Sequence, residues 1–178
     1  MRAALPAELQ PILTVAYVSG WRINSELLPM EWRQVDCAAR CIRLDPGTTK
    51  NDKGREFPFT ADVEATLRRQ REHSVQVARE RGVVVRHVFH RADGRRVKHW
   101  RRPWLQALLK AGLAVREANP DRTAKKRGKI IPGVMPHGFR RTAIRNLSIA
   151  GVSEAIGMAL CGHETRSVYD RSRIVNGG

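Results

Sequence analysis

Apolar residues recur at helical spacing over residues 7–19, with Leu9, Ile12, Leu13, Ala16 and Tyr17 on one face. That period predicts an amphipathic helix, and Gly20 supplies its stop. A short helix is expected from about Ser25, capped by Asn24 or Ser25. The period then changes. Over residues 33–60, Val35, Cys41, Ile42 and Leu44 read as strand fragments and Phe57-Pro58-Phe59 as a return strand. Asp45-Pro46-Gly47 and Asn51-Asp52-Lys53-Gly54 read as turns between them, so a small antiparallel sheet is expected.

Thr60 reads as the cap of a long polar helix over about 61–81, ending at Gly82. Val83, Val84, Val85, Val88 and Phe89 read as strand-like or buried, and Ala92-Asp93-Gly94 as a turn. Residues 98–113 predict a helix with Trp100, Trp104, Leu105, Leu108 and Leu109 on its apolar side; the two tryptophans are assigned to the core rather than to base stacking. The stretch 116–133 carries Asn119-Pro120-Asp121 and Lys125-Lys126-Arg127-Gly128-Lys129. It is expected to be an irregular loop, either solvated or lying near phosphates. Three helices close the chain: about 137–150, ending at Gly151; 153–161, capped by Ser153; and one from about Thr165. With no internal repeat and no dividing linker, the expectation is one domain over residues 1–178, mainly α with a small antiparallel β-sheet (α+β).

Charge narrows the partner. The 178 residues hold 33 Lys and Arg against 17 Asp and Glu, a formal net charge of +16. Such an excess points to a polyanion, nucleic acid first, and arginine, the commoner cation here, suits bidentate phosphate contacts. No apolar run reaches membrane-spanning length and the N-terminus lacks a secretory pattern. Neither a membrane nor a small-molecule substrate is therefore expected, and a cytoplasmic location is. Three cysteines form no disulfide framework, and the spacing of Cys37, Cys41, Cys161 and His163 is poor for zinc.

Four separated boxes remain. The first is Tyr17-Val18-Ser19-Gly20-Trp21-Arg22, followed by Glu26-Leu27-Leu28 and Trp32-Arg33-Gln34-Val35-Asp36. The second is Thr49-Lys50-Asn51 with Phe57-Pro58-Phe59. His137-Gly138-Phe139-Arg140-Arg141-Thr142-Ala143 and Leu160-Cys161-Gly162-His163 complete the series. Singly, each has a local explanation. Arg22 follows a helix C-terminus, where a cation is favoured, and can pair with Glu26. Lys50 beside a turn reads as surface, His137 as a helix cap, Arg140 as a solvated face and His163 as a turn residue.

In this order the boxes resemble the catalytic domain of the tyrosine recombinase, or phage integrase, family over about residues 7–175. The resemblance implies the fold of the DNA breaking-rejoining enzymes. It also implies that a side-chain oxygen attacks a DNA phosphodiester, leaving a 3′-phosphoprotein link and a free 5′-hydroxyl. Arg22 and Arg140 would grip the non-bridging oxygens where charge develops, Lys50 would protonate the departing 5′-oxygen, His137 would assist the nucleophile or orient the phosphate, and His163 would donate a hydrogen bond. It implies no metal and no cofactor. The expected partner is double-stranded DNA, with a homo-oligomer on DNA and a bacterial or phage-derived, nucleoid-associated setting.

Three departures stand out. The family's last helix reads approximately Gly-His-x-Thr-Arg-Ser-x-(Phe/Tyr)-Asp-Arg-Tyr; this chain runs Gly162 to Ser172 without a gap, so Tyr169 falls on the packing position and Ser172 on the nucleophile. Either cleavage is lost and DNA binding kept, or Tyr169 acts instead, or Ser172 attacks. Tyr169 lies about 4.5 Å along the helix from the expected position, and a serine hydroxyl is a far weaker acid than a phenol. Secondly, Arg22 and Glu26 are four apart where the family has three, a difference a helix cap can absorb. Thirdly, members usually carry a helical DNA-binding domain ahead of this one; the expectation here is a catalytic domain with that N-terminal core-binding domain absent.

Overall fold

The computed structural model describes residues 2–47, 54–118 and 128–173. A single 3-10 turn at Ala7–Leu9 leads into helix α1, Gln10–Ser19. Leu9, Ile12, Leu13, Val15 and Ala16 are buried along it, whereas Tyr17, expected on the apolar face, is 45% exposed. Gly20 ends α1 at φ 68°. A Cβ there would also stand 3.0 Å from that of Ala143, so the glycine serves both the left-handed turn and a close approach of two helices.

The expected helix from Ser25 is instead one turn of π-helix over Ile23–Leu27, with Arg22 and not Asn24 or Ser25 as its N-cap. The N–H groups of Leu27 and Leu28 reach back five residues to the carbonyls of Arg22 and Ile23, at 3.1 and 2.8 Å. One residue more than an α-turn holds is accommodated there. This places Arg22 and Glu26 side by side despite their unusual separation.

Strands β1 (Val35–Asp36), β2 (Cys41–Leu44) and β3 (Arg55–Pro58) form an antiparallel sheet in the order β1-β2-β3. Ile42 faces Phe57 across it, and both are buried. Helix α2 (Ala61–Arg81) starts where Thr60 Oγ1 accepts the Val63 N–H at 3.3 Å and ends at Gly82. Helix α3 (Arg101–Lys110) is shorter than the 98–113 stretch, Trp100 serving as its N-cap.

The stretch 116–133 departs from the expected irregular loop. Strands β4 (Ala114–Arg116) and β5 (Ile130–Pro132) pair antiparallel across it. Short apolar runs at either end close a hairpin that a reading of the basic middle did not reveal; residues 119–127 lie outside the described residues. Helices α4 (His137–Ile149), α5 (Glu154–Cys161) and α6 (Arg166–Arg173) follow. Ser153 is the N-cap of α5 but makes no side-chain capping bond.

The main core joins α1, the three-stranded sheet, α2 and α3. Trp100 and Trp104 stack in it at 5.9 Å, and Trp104 meets Phe139 edge-on at 5.6 Å. Each such large side chain stabilises by roughly 1.5–3 kcal/mol through burial. A second small cluster, Ile144, Cys161 and Tyr169, binds α5 and α6 to α4. Among the described residues no helix is long and apolar enough to cross a membrane.

Candidate functional site

The boxes meet where α1 ends against the start of α4. In His137-Gly138-Phe139-Arg140, Phe139 enters the core while His137 and Arg140, three apart, share the opposite face. The cleft beneath them has a volume of about 210 Å³, and Arg22, His137 and Arg140 line it together with Asn24, Ser25 and Trp100. That is room for a phosphate group. A wider groove of about 840 Å³ adjoins it, sharing Asn24 and Trp100 and lined by Arg91, Lys98, His99, Arg101 and Arg102.

Arg140 is 3% exposed and held by two segments, Gly20 and Gly162-His163. Its Nη1 donates to the Gly20 carbonyl at 3.2 Å, its Nη2 to the Gly162 carbonyl at 2.8 Å, and its Nε to His163 Nε2 at 3.1 Å. A guanidinium has five N–H donors in a plane, so protein contacts orient the group without exhausting it. Burial, and then the positive charge of Arg22, push its pKa down to about 10.

His163 is pushed down to about 4, first by burial and then by Arg140 and Arg22. The ring is thus neutral at pH 7, as accepting from a guanidinium requires, and both its nitrogens face Arg140, Nε2 at 3.1 Å from Nε and Nδ1 at 3.3 Å from Nη2. His137, exposed at the cleft edge, is lowered by partial burial and by Arg140, Arg141 and Arg22. A neutral imidazole beside two guanidiniums can take up a proton as a neighbouring anion forms.

Arg22 is oriented by Glu26, whose Oε1 accepts from Nη1 at 2.9 Å and whose Oε2 accepts the Arg22 backbone N–H at 2.6 Å. The pairing that explained Arg22 locally is therefore present and aims the side chain at the cleft. Trp21 anchors the same turn: its Nε1–H donates to the Leu160 carbonyl at 2.8 Å, and its ring meets Phe57 edge-on at 5.8 Å. Sequence reading did not single out this anchor, although a tryptophan beside the first arginine was a visible signal.

Arg22, His137, Arg140 and His163 are thus brought together. Lys50 lies outside the described residues. Ser172 falls within α6, whose backbone runs Arg166–Arg173. Tyr169 is 1% exposed; its ring meets His163 edge-on at 5.8 Å and its hydroxyl end lies against Gly157. Among the described residues no group of three or more His, Cys, Asp or Glu side chains could hold a metal ion.

A family model described as the phage integrase family matches residues 2–171. No curated protein matches the chain. Among solved structures, the XerA recombinase superposes with a TM-score of 0.68 at 16% identity, covering 96% of this chain and 54% of that one. A λ integrase dimer bound to a COC′ core site gives 0.66 at 15%, covering 97% and 43%. The Tn1549 transposon integrase (residues 82–397) in complex with circular intermediate DNA gives 0.62 at 15%, covering 94% and 54%. The chain spans about half the length of the structures it matches, and at this identity the likeness carries the fold.

Proposed function

The chain belongs to the phage integrase family, and on that premise we propose that Arg22, His137, Arg140 and His163 form the phosphodiester grip of a tyrosine recombinase catalytic domain acting on double-stranded DNA. One observation carries the reading. Arg22, His137 and Arg140, from two distant boxes, line one phosphate-sized cleft, and His163, from a third, backs Arg140 through a hydrogen bond.

In-line attack on a phosphodiester builds charge on the non-bridging oxygens. Arg22 and Arg140, which both line the cleft, would stabilise that charge in advance of the reaction. In the family's reaction His137 would take the proton of an attacking hydroxyl or orient the phosphate, and by resemblance His163 would donate a hydrogen bond to a phosphate oxygen. By resemblance Lys50 protonates the departing 5′-oxygen. The adjoining groove of Lys98, Arg101 and Arg102 offers flanking phosphates a path. A higher assembly on DNA goes with this reading.

Position 172 favours a second reading, a DNA-binding protein that retains the recombinase fold without cleavage. The burial of Tyr169 against Gly157 supports a packing role for that residue rather than nucleophilic attack. A serine in the nucleophile position would need a strong base, and a His163 that protonates only near pH 4 is a weak one. The reading adopted is an intact phosphate site with strand cleavage lost at Ser172.

The test uses nicked suicide duplexes drawn from the DNA flanking the gene, with adducts read on denaturing gels. The wild type is expected to give none and Ser172→Tyr to give one. A wild-type adduct abolished by Ser172→Ala would make the serine the nucleophile; one abolished by Tyr169→Phe would make it Tyr169. No adduct from Ser172→Tyr, where an intact relative reacts on its own site, would contradict the site assignment.

A further inference from the structure

Arg55 opens strand β3 with a side chain only 6% exposed, too enclosed to reach DNA itself. Its Nη2 donates to Glu26 Oε1 at 2.6 Å, the same oxygen that holds Arg22. Its Nη1 donates to the Cys161 carbonyl at 3.1 Å. The guanidinium also lies flat against Gly162, where any Cβ would overlap it. Gly162 in turn presents its carbonyl to Arg140 Nη2 at 2.8 Å. One buried arginine therefore touches the carboxylate that aims Arg22 and the segment that backs Arg140 and carries His163.

The charges make this more than a staple. Glu26, 1% exposed, is shared by Arg22 and Arg55, and Arg140 stands close enough that both other guanidiniums lower its pKa. Cations so crowded separate unless held, and a freely moving Arg22 would lose its spacing from Arg140. Arg55 and Arg22 share Glu26 Oε1, while Oε2 is held by the Arg22 backbone N–H. The glycine of the Leu-Cys-Gly-His box is accounted for by the same contact: φ 68° and the pressed guanidinium both exclude a side chain at position 162.

We infer that Arg55 is a positioning residue for the proposed phosphate site, tying the Arg22 turn to the Gly162-His163 segment and so fixing the distance between the two gripping guanidiniums. This rests on the phosphate-site reading above. Lysine would keep the charge yet reach only one of the two acceptors, because its point-like ammonium lacks the planar fork.

The experiment titrates inorganic phosphate into the full ¹⁵N-labelled chain and follows the arginine Nε–H resonances, assigned with Arg22→Lys and Arg140→Lys. In the wild type the Arg22 and Arg140 signals are expected to shift together with one dissociation constant. Arg55→Lys, melting cooperatively, is expected to weaken that constant by about tenfold or more, the scale set by a small misplacement of gripping groups. Arg55→Met is expected to weaken it further. An Arg55→Lys protein with a lowered Tm but unchanged phosphate affinity, or one that does not fold, would reduce Arg55 to a structural role and overturn the inference alone. A wild type whose Arg22 and Arg140 signals ignore phosphate would overturn the site reading, and this inference with it.

Discussion

Around Arg140 the contacts are polar and redundant: three carbonyls, one carboxylate and one imidazole hold three guanidiniums within a few ångströms. Around Tyr169, on α6, the packing is largely apolar, with Ile144, Cys161, Leu147 and Met158 enclosing the ring. On the proposed reading the first region would bind an anion whatever happens afterwards. The second positions a helix, and position 172 lies on that helix. A phosphate grip and a nucleophile are thus supported by different interactions, so one can change while the other keeps its geometry.

The largest expected effect strikes the polar side. Removing the carboxylate shared by the buried Arg55 and the partly exposed Arg22 leaves both without their counter-ion, so Glu26→Ala is expected to cost about 3–5 kcal/mol in urea unfolding. A loss under about 1 kcal/mol would break the contrast, since the cluster would then be no tighter than a surface ion pair.

Gly162→Ala comes next. The left-handed backbone costs roughly 1–2 kcal/mol for an L residue, and overlap with Arg55 adds strain of about 1–3 kcal/mol. The loss should shrink in an Arg55→Ala background, which a double-mutant cycle reads directly. On the apolar side, Gly157→Ala places a methyl against the Tyr169 hydroxyl and is expected to cost about 1–3 kcal/mol. Tyr169→Phe should recover part of that. Full recovery in one cycle and none in the other would show the two regions are less alike in tightness than the packing implies.

A further effect is in pH. His163 is held near 4 when folded against an ordinary value of 6.5. The unfolded chain therefore binds the proton more readily, and stability falls as pH drops from about 6.5 to about 4. His137, His90 and His87 are lowered as well, each chiefly by burial, and act in the same direction. Unfolding free energy measured across that window should decline less steeply for His163→Gln. An equal slope in both proteins would place the ring outside the charged cluster.

Much of this was legible in the residues. The helical period of α1, the Thr60 cap and the turn residues after Leu44 carried their own local physics, and the ordered boxes named the four converging side chains. Less visible were features set by tertiary contact. The π turn after Arg22 follows from one extra residue that had to be absorbed between Trp21, pinned to Leu160, and the buried Leu27. The β4–β5 pair arises from apolar fragments too short to show a period. Arg55 looks like any strand arginine until its burial and its two partners are known, because nothing local marks a side chain that acts by reaching two other segments.

The central claim is that Arg22 and Arg140 bracket one phosphate, and a crystal of the wild-type protein soaked in orthovanadate tests it most directly. The account predicts vanadate density in the cleft, with both guanidiniums and His163 within hydrogen-bonding distance of its oxygens. Vanadate bound elsewhere, with Arg22 and Arg140 still turned only to their protein partners, would contradict it.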